Sequence, residues 1–300
     1  MVKTKMAAIC GSDLHMVYAG ISLPPFPLLP GFPGHEGVGD VVESHHPDFK
    51  VGDQVLCAPS LPNCCTFADY QTLGGAFLHH LPDYDGPLEH LLMAQQFGTT
   101  LFAMRRQPLD LVGKTVMVMG QGSAGMFFAW QAMRAGAEKV IVSDLNEARL
   151  ASSSSMGADV AVKADATGEN VRQAVMDHTK GLGVDYLVEA VGTANSYLQA
   201  VDLMKDGGEM LWFGLPDTAE PIRINFHDFF RKRLRAHSVY GTQHEHGGHS
   251  FRLALNLIAS KQIDVSALTK DFLNIEKIDE AMKLAQDRSR NALKVSITFD

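Results

Sequence analysis

The chain is 300 residues long, 46% hydrophobic and 20% charged, the composition of an ordinary globular protein with room for two domains and a sizeable core. A net charge of -8 leaves no basic stripe to neutralise phosphates, which argues against nucleic acid as a partner, and no run approaches the roughly 18 apolar residues of a membrane span. Its four cysteines are too few for a disulfide framework and the N-terminus lacks a signal-peptide pattern, so the cytoplasm is the expected compartment.

Residues 1–9, MVKTKMAAI, alternate weakly and are expected to form a strand. CGSDLH follows at 10–15, then a Pro-rich loop at 23–33, then GHEGVGDVVE at 34–43. Cys10, His35 and Glu36 offer sulfur, nitrogen and oxygen donors to a borderline-soft divalent metal, from separate loops as open catalytic zinc sites often require. Taken singly, Cys10 would be a buried thiol, His35 a satisfied histidine and His15 a solvated one. Residues 88–106, LEHLLMAQQFGTTLFAMRR, read as one helix entering a second domain.

The stretch 114–144 reads as strand, turn, helix and strand. Its apolar run at 116–119 suits a buried parallel strand, and Gly120, Gln121, Gly122, Ser123, Ala124 and Gly125 complete a G-x-G-x-x-G. Gly120 permits the tight turn, Gly122 lets a pyrophosphate approach the backbone, and Gly125 lets the helix pack closely on the strand. Phosphate would sit on the helix N-terminus, against amide N–H groups and the positive end of the dipole. Asp144 ends the second strand, placed to accept hydrogen bonds from the adenosine ribose hydroxyls and to repel a 2'-phosphate, so NAD is favoured over NADP. The alternative is an ordinary α/β turn with Asp144 capping the next helix.

Strands are expected at 184–191 and 208–214, with the backbone near Val191 and Leu215 approaching a nicotinamide at their C-terminal ends. The basic run Arg231, Lys232, Arg233 and Arg235 is expected to be a solvated face, and the His-rich segment 244–249 an exposed loop rather than a metal site. Residues 221–240 are expected to lead back to the first domain.

CGSDLH at 10–15, GHEGVG at 34–39, VGDQV at 51–55 and the glycine fingerprint with Asp144 occur in an order that resembles the zinc-containing medium-chain dehydrogenase/reductases, the alcohol and polyol dehydrogenase family. The resemblance extends to the C-terminus, where helices at 250–260 and 275–286 and a strand at 292–299 match the family's return to its catalytic domain. It implies an α/β protein: a doubly wound parallel-sheet Rossmann domain at 91–240 and a mainly β, GroES-like catalytic domain from 1–90 and 241–300, with substrate in the cleft. It implies Cys10 and His35 as zinc ligands, Glu36 as a carboxylate beside the metal, Gln95 at the position of the third ligand, and Asp13 orienting the ligand histidine. Ser12 and His15 match the relay that removes the alcohol proton. Thr99 matches a residue close to the nicotinamide, and Arg149, in an Asn-x-x-Arg-Leu helix, one that covers the adenine. Ser152–Ser155 weaken that helix locally.

The sequence also departs from the family pattern. A lobe that holds a structural zinc with four cysteines is missing, since the chain runs from Pro62-Asn-Cys-Cys65 almost directly to Thr66-Phe-Ala-Asp-Tyr70. One catalytic zinc and no structural zinc are therefore expected, with Cys57 a buried hydrophobe at a strand end. The N-terminus is short, which is expected to expose a sheet edge. The implied activity is reversible hydride transfer between an alcohol, polyol or sugar-like, and NAD. The alternatives are a metal-free quinone or enone reductase on the same fold and a non-catalytic NAD-binding remnant. Relatives assemble as homo-dimers or homo-tetramers, with residues 210–213 a possible interface strand if their apolar content is not simply core.

Overall fold

The computed structural model describes residues 1–107, 109–287 and 289–299. In chain order it contains β1 (Val2–Ala8), α1 (Gly11–Ala19), β2 (Gly37–Val41), β3 (Gln54–Cys57), β4 (Tyr70–Gln71), β5 (Leu78–His80), α2 (Leu88–Leu92) and α3 (Ala94–Arg105). Then come β6 (Thr115–Met119), α4 (Ser123–Arg134), β7 (Lys139–Asp144), α5 (Glu147–Ser153), β8 (Val160–Lys163), α6 (Glu169–His178), β9 (Val184–Glu189), α7 (Ala194–Leu203), β10 (Met204–Trp212), α8 (Phe226–Arg231) and β11 (Arg235–Ser238). Last are α9 (His249–Ala259), β12 (Asp271–Asn274), α10 (Ile278–Gln286) and β13 (Val295–Thr298). The chain divides into one unit of Met1–Phe102 with Gly241–Asp300 and a second of Ala103–Tyr240. No helix among the described residues is long and apolar enough to cross a membrane.

The first unit is built on a sheet of order β12-β13-β1-β2-β3-β5, with β4 also paired to β1. In β1, Val2, Thr4 and Met6 point inward while Lys3 and Lys5 remain at least partly exposed, the alternation of a half-buried strand. The expected open edge is not found at β1, which is flanked by β2 on one side and by β13 and β4 on the other. Close approach of β2 requires a glycine, because a Cβ on Gly39 would lie 2.2 Å from the Lys3 carbonyl oxygen. Cys57 is fully buried with Val2, Val41, Val55 and Leu78. Helix α10 packs Ala281 and Met282 against Val295 and Ile297 of β13.

Two local expectations need correction. CGSDLH is not a loop: Cys10 is the N-cap of α1, whose capping box is completed by Asp13 and whose end is set by Gly20 in the left-handed region at φ 66°. Residues 88–106 form two helices, α2 and α3, separated at Met93.

The second unit is a doubly wound α/β domain. Its six strands are parallel in the order β11-β10-β9-β6-β7-β8. Phe128 and Ala129 of α4 and Leu150 of α5 cover one face, and Val171 and Val175 of α6 with Ala200 and Val201 of α7 cover the other. Strand order reverses between β6 and β9, where open α/β sheets place their ligands. Residues 221–240 do more than lead away, since they supply α8 and the edge strand β11. Met210 and Leu211 are fully buried in β10, which bonds to β9 and β11, so their apolar character belongs to the core and offers no free edge. The basic run is solvent-facing but paired: Arg233 to Asp206 at 3.0 Å, and Arg235 to Glu209.

Ser152–Ser155 do interrupt α5, which ends at Ser153 and passes into a 3-10 turn. All four hydroxyls donate back to carbonyls three or four residues earlier, the local competition that makes serine a poor helix interior residue.

Candidate metal centre and dinucleotide site

In the first unit, β1 delivers Cys10 to the start of α1, and the segment entering β2 delivers His35 and Glu36. One donor atom from each of the three lies within 4.8 Å of the others, the only such cluster of His, Cys, Asp and Glu among the described residues. Zinc bond lengths of about 2.0–2.3 Å put tetrahedral ligands roughly 3.5 Å apart, so the three need only contract around an ion. Donor set, burial and spacing therefore fit zinc.

Asp13 supports this cluster twice. Its Oδ2 accepts the Cys10 amide at 2.9 Å, and its Oδ1 lies 2.8 Å from His35 Nδ1. The latter contact engages Nδ1 and leaves Nε2 as the ring nitrogen that could face a metal, the arrangement that fixes a ligand imidazole. Burial alone would lower the His35 pKa, but the charge and hydrogen bond of Asp13, joined by Cys10, hold it well above its ordinary value. Ser12 Oγ lies 3.4 Å from His35 Nε2, and His15 follows one turn later on the same helix.

Lys294 was not legible as part of this site. It is buried immediately before β13, with Nζ 2.5 Å from Glu36 Oε2 and both side chains at most 2% exposed. Burial would lower its pKa, but Glu36, Cys10 and Asp13 hold it up, so the ammonium persists. The pair attracts by charge without well-angled hydrogen bonds, and both Glu36 oxygens keep lone pairs for another partner. The signal in the sequence was a lone Lys within the apolar run ALKVSITF.

Gln95 is buried in the first turn of α3, 2% exposed. Thr99, one turn on, donates its hydroxyl to the Gln95 carbonyl at 3.0 Å, as an ordinary helical threonine does. Cys64 feels the charges of His35 and Asp13; burial pushes its thiol up to about 11 and that of Cys57 up to about 12. Glu245 of the His-rich segment accepts from the Ser250 amide at 2.6 Å and secures the start of α9.

In the second unit the glycines hold the positions that their spacing suggests. Gly120 has φ +87°, and a Cβ on Gly125 would lie 1.8 Å from the Gly120 carbonyl oxygen, so α4 sits directly on the turn. A Cβ on Gly122 would meet nothing within 4 Å, which leaves the open approach a pyrophosphate needs. Gly122 is also the N-cap of α4 and supplies no side-chain cap, so Ser123 and Ala124 begin a helix whose positive end is open to an anion.

Asp144 Oδ2 accepts the Gln121 amide at 2.6 Å and Oδ1 the Asn146 amide at 2.8 Å, tying the glycine turn to the end of β7. A carboxylate has roughly four lone-pair sites, which leaves room for ribose hydroxyls. The cap of α5 is Asn146, whose side chain receives the Ala148 and Arg149 amides. The strands expected at 184–191 and 208–214 end earlier, at Glu189 and Trp212, so Val191 and Leu215 lie in the segments that follow β9 and β10.

Comparison with known proteins agrees with both halves. Residues 1–83 match the alcohol dehydrogenase GroES-like domain and residues 124–260 the zinc-binding dehydrogenase domain. The chain is 27% identical over 326 residues to an L-threonine 3-dehydrogenase of Sinorhizobium medicae, covering 98% of this chain and 90% of that protein. It is likewise 27% identical over 326 residues to a sorbitol dehydrogenase of Halalkalibacterium halodurans, covering 99% and 90%. In fold it is similar to the zinc-dependent alcohol dehydrogenase 2 of Streptococcus pneumonia, with TM-score 0.83, 22% identity and coverage of 100% and 90%. With both domain types in sequence order and the Cys10, His35 and Glu36 cluster assembled, the chain belongs to the zinc-containing medium-chain dehydrogenase/reductase family, the alcohol and polyol dehydrogenases.

Proposed function

We propose that the chain is a zinc-dependent dehydrogenase that transfers a hydride between a polar alcohol, polyol or sugar-like, and NAD. The observation that carries this reading is the cluster of half-buried Cys10 with buried His35 and Glu36, with its donors within 4.8 Å and an acid oriented on the histidine. Cys10, His35 and Gln95, with Glu36 beside them, would hold one zinc, which would supply Lewis acidity toward the alcohol oxygen, and the dinucleotide would supply the hydride acceptor. Ser12 takes the alcohol proton and passes it to His15, and Asp13 keeps the His35 ring oriented. Gly120, Gly122, Ser123, Ala124 and Gly125 hold the pyrophosphate, Asp144 the adenosine ribose, and Arg149 the adenine. Val191 and Leu215 would contact the nicotinamide, for which Thr99 is a further candidate.

NAD is preferred because Asp144 would repel a 2'-phosphate. Two curated relatives carry threonine and sorbitol in their names, substrates in which the alcohol has polar neighbours, and this favours a polar alcohol here. The same reading places the catalytic domain at 1–90 and 241–300 and the dinucleotide domain at 91–240. It makes the enzyme a cytoplasmic homo-dimer or homo-tetramer.

The test is zinc content of tag-free protein together with NAD reduction across a panel of polyols. About one zinc per chain is expected, lost in Cys10→Ser along with activity. Turnover that persists in metal-stripped protein would replace this reading with a metal-free reductase.

A further inference from the structure

At the C-terminal end of β9, Glu189 is a fully buried acid at the strand-order reversal. Its Oε1 accepts two consecutive amides, Val191 N and Gly192 N, each at 2.9 Å. Its backbone carbonyl accepts Phe213 N at 3.0 Å and Gly214 N at 2.9 Å, from the segment that follows β10. The two segments are also fastened to each other: Asp217 N donates to the Gly192 carbonyl at 2.9 Å, and Tyr197 Oη to the Gly214 carbonyl at 2.6 Å. Packing is so close that a Cβ on Gly214 would lie 2.4 Å from Gly192 N and 2.6 Å from Glu189 Oε2. A Cβ on Gly192, at φ +84°, would lie 2.2 Å from the Leu215 carbonyl oxygen.

A sheet needs no buried carboxylate to hold its strands. Here burial raises the Glu189 pKa, against the backbone amides and Ser196, which lower it, and Oε2 has no hydrogen-bond partner. An acceptor-only group that engages two successive amides fixes the orientation of both peptide planes at once.

We propose that Glu189 is the positioning residue of the nicotinamide end of the dinucleotide site, setting residues 190–193 and 213–217 in register through its side chain and backbone. Val191 and Leu215 are then presented together to the carboxamide, while the glycine turn, against which Ala190 and Val191 pack, and Asp144 hold the adenosine diphosphate end. The inference rests on the dinucleotide reading given above.

The experiment compares NADH with ADP-ribose, which has the same diphosphate and adenosine but no nicotinamide, by calorimetric titration of the full chain. Glu189→Met removes the acceptor at nearly constant length. It is expected to weaken NADH at least tenfold while ADP-ribose stays within about twofold. Glu189→Gln, which keeps an oxygen for the two amides, is expected to bind NADH within about threefold of the wild type. Equal losses of both ligands, no loss of NADH, or a Gln variant as impaired as Met would overturn the proposal. If Glu189→Met fails to fold, Gly214→Ala presses on Oε2 from the opposite segment and is expected to give the same selective loss; equal losses there would refute it. Wild-type protein that binds neither ligand overturns the dinucleotide reading, and this inference with it; ADP-ribose bound as tightly as NADH overturns this inference alone.

Discussion

Replacing Lys294 by Met would remove the ammonium that sits against Glu36, beside Cys10 and His35. The side chains are 2% and 1% exposed and 2.5 Å apart, so no solvent can screen the carboxylate once its partner is gone. Breaking a buried ion pair from one side typically costs about 3–5 kcal/mol, a large fraction of the roughly 5–15 kcal/mol that separates folded from unfolded protein. That cost should be felt in full only in metal-free protein. Zinc at Cys10 and His35 brings positive charge beside Glu36, so it should stabilise the variant more than the wild type. By linkage, each 1.4 kcal/mol recovered this way appears as about a tenfold gain in zinc affinity. Urea unfolding of metal-stripped and zinc-replete protein, with zinc affinity from chelator competition, measures both sides of the cycle. Adding Glu36→Gln removes the orphaned charge and should recover most of the metal-free loss, a coupling that a double-mutant cycle reports directly. Metal-free Lys294→Met within about 1 kcal/mol of wild type, or unchanged zinc affinity, would show that the pair does not organise the site.

Gly125→Ala puts a methyl where the Gly120 carbonyl oxygen already lies, 1.8 Å from the ideal Cβ. It should cost about 1–3 kcal/mol through overpacking and abolish NADH binding by lifting α4 off the turn; a variant that titrates like wild type would contradict that packing. His79 supplies a pH dependence: burial, reinforced by Arg252, lowers its pKa to about 4 although Glu245 opposes this. A depressed histidine stabilises the fold above its unfolded pKa of about 6.5, so stability should fall by about 3 kcal/mol as pH drops from 7 to below 4. His79→Phe, which can keep the ring contact with Phe251 at 5.1 Å, should flatten that limb of the stability profile measured by denaturant titration.

The dinucleotide half of the protein was legible because its chemistry is local. One stretch, 114–144, carries the strand, the three glycines and Asp144, and each residue type answers a single steric or electrostatic demand. The metal half was legible as a set of donors but not as a geometry. Nothing in CGSDLH announces that Cys10 is an N-cap, because the cap is completed by Asp13, which also meets His35 from a segment twenty-two residues away. Lys294 stood out in its apolar run but could not be placed, for the same reason: its partner Glu36 lies at the other end of the chain, joined through the antiparallel pairing of β13 with β1 and of β1 with β2. Residues 210–213 were ambiguous because an apolar strand reads alike at an interface and inside a sheet. Met210 and Leu211 are buried in β10, which pairs on both sides, so core burial accounts for their apolar character.

The functional segments share one device, a carboxylate placed to bind backbone amides beside the atoms that matter. Asp13 takes the Cys10 amide and faces His35; Asp144 takes the Gln121 and Asn146 amides around the glycine turn; Glu189 takes the Val191 and Gly192 amides. Irregular backbone at a ligand site lacks the ladder hydrogen bonds that would hold a strand or helix in place. A carboxylate is suited to supply them because it accepts only, engages two donors at once and binds each by a charge-assisted bond. A neutral amide in its place would present a donor to those N–H groups in one of its two orientations. Under the proposed function, the three acids would let the ends of regular elements and the turns beside them carry metal and dinucleotide contacts with the precision that hydride transfer at fixed separation demands.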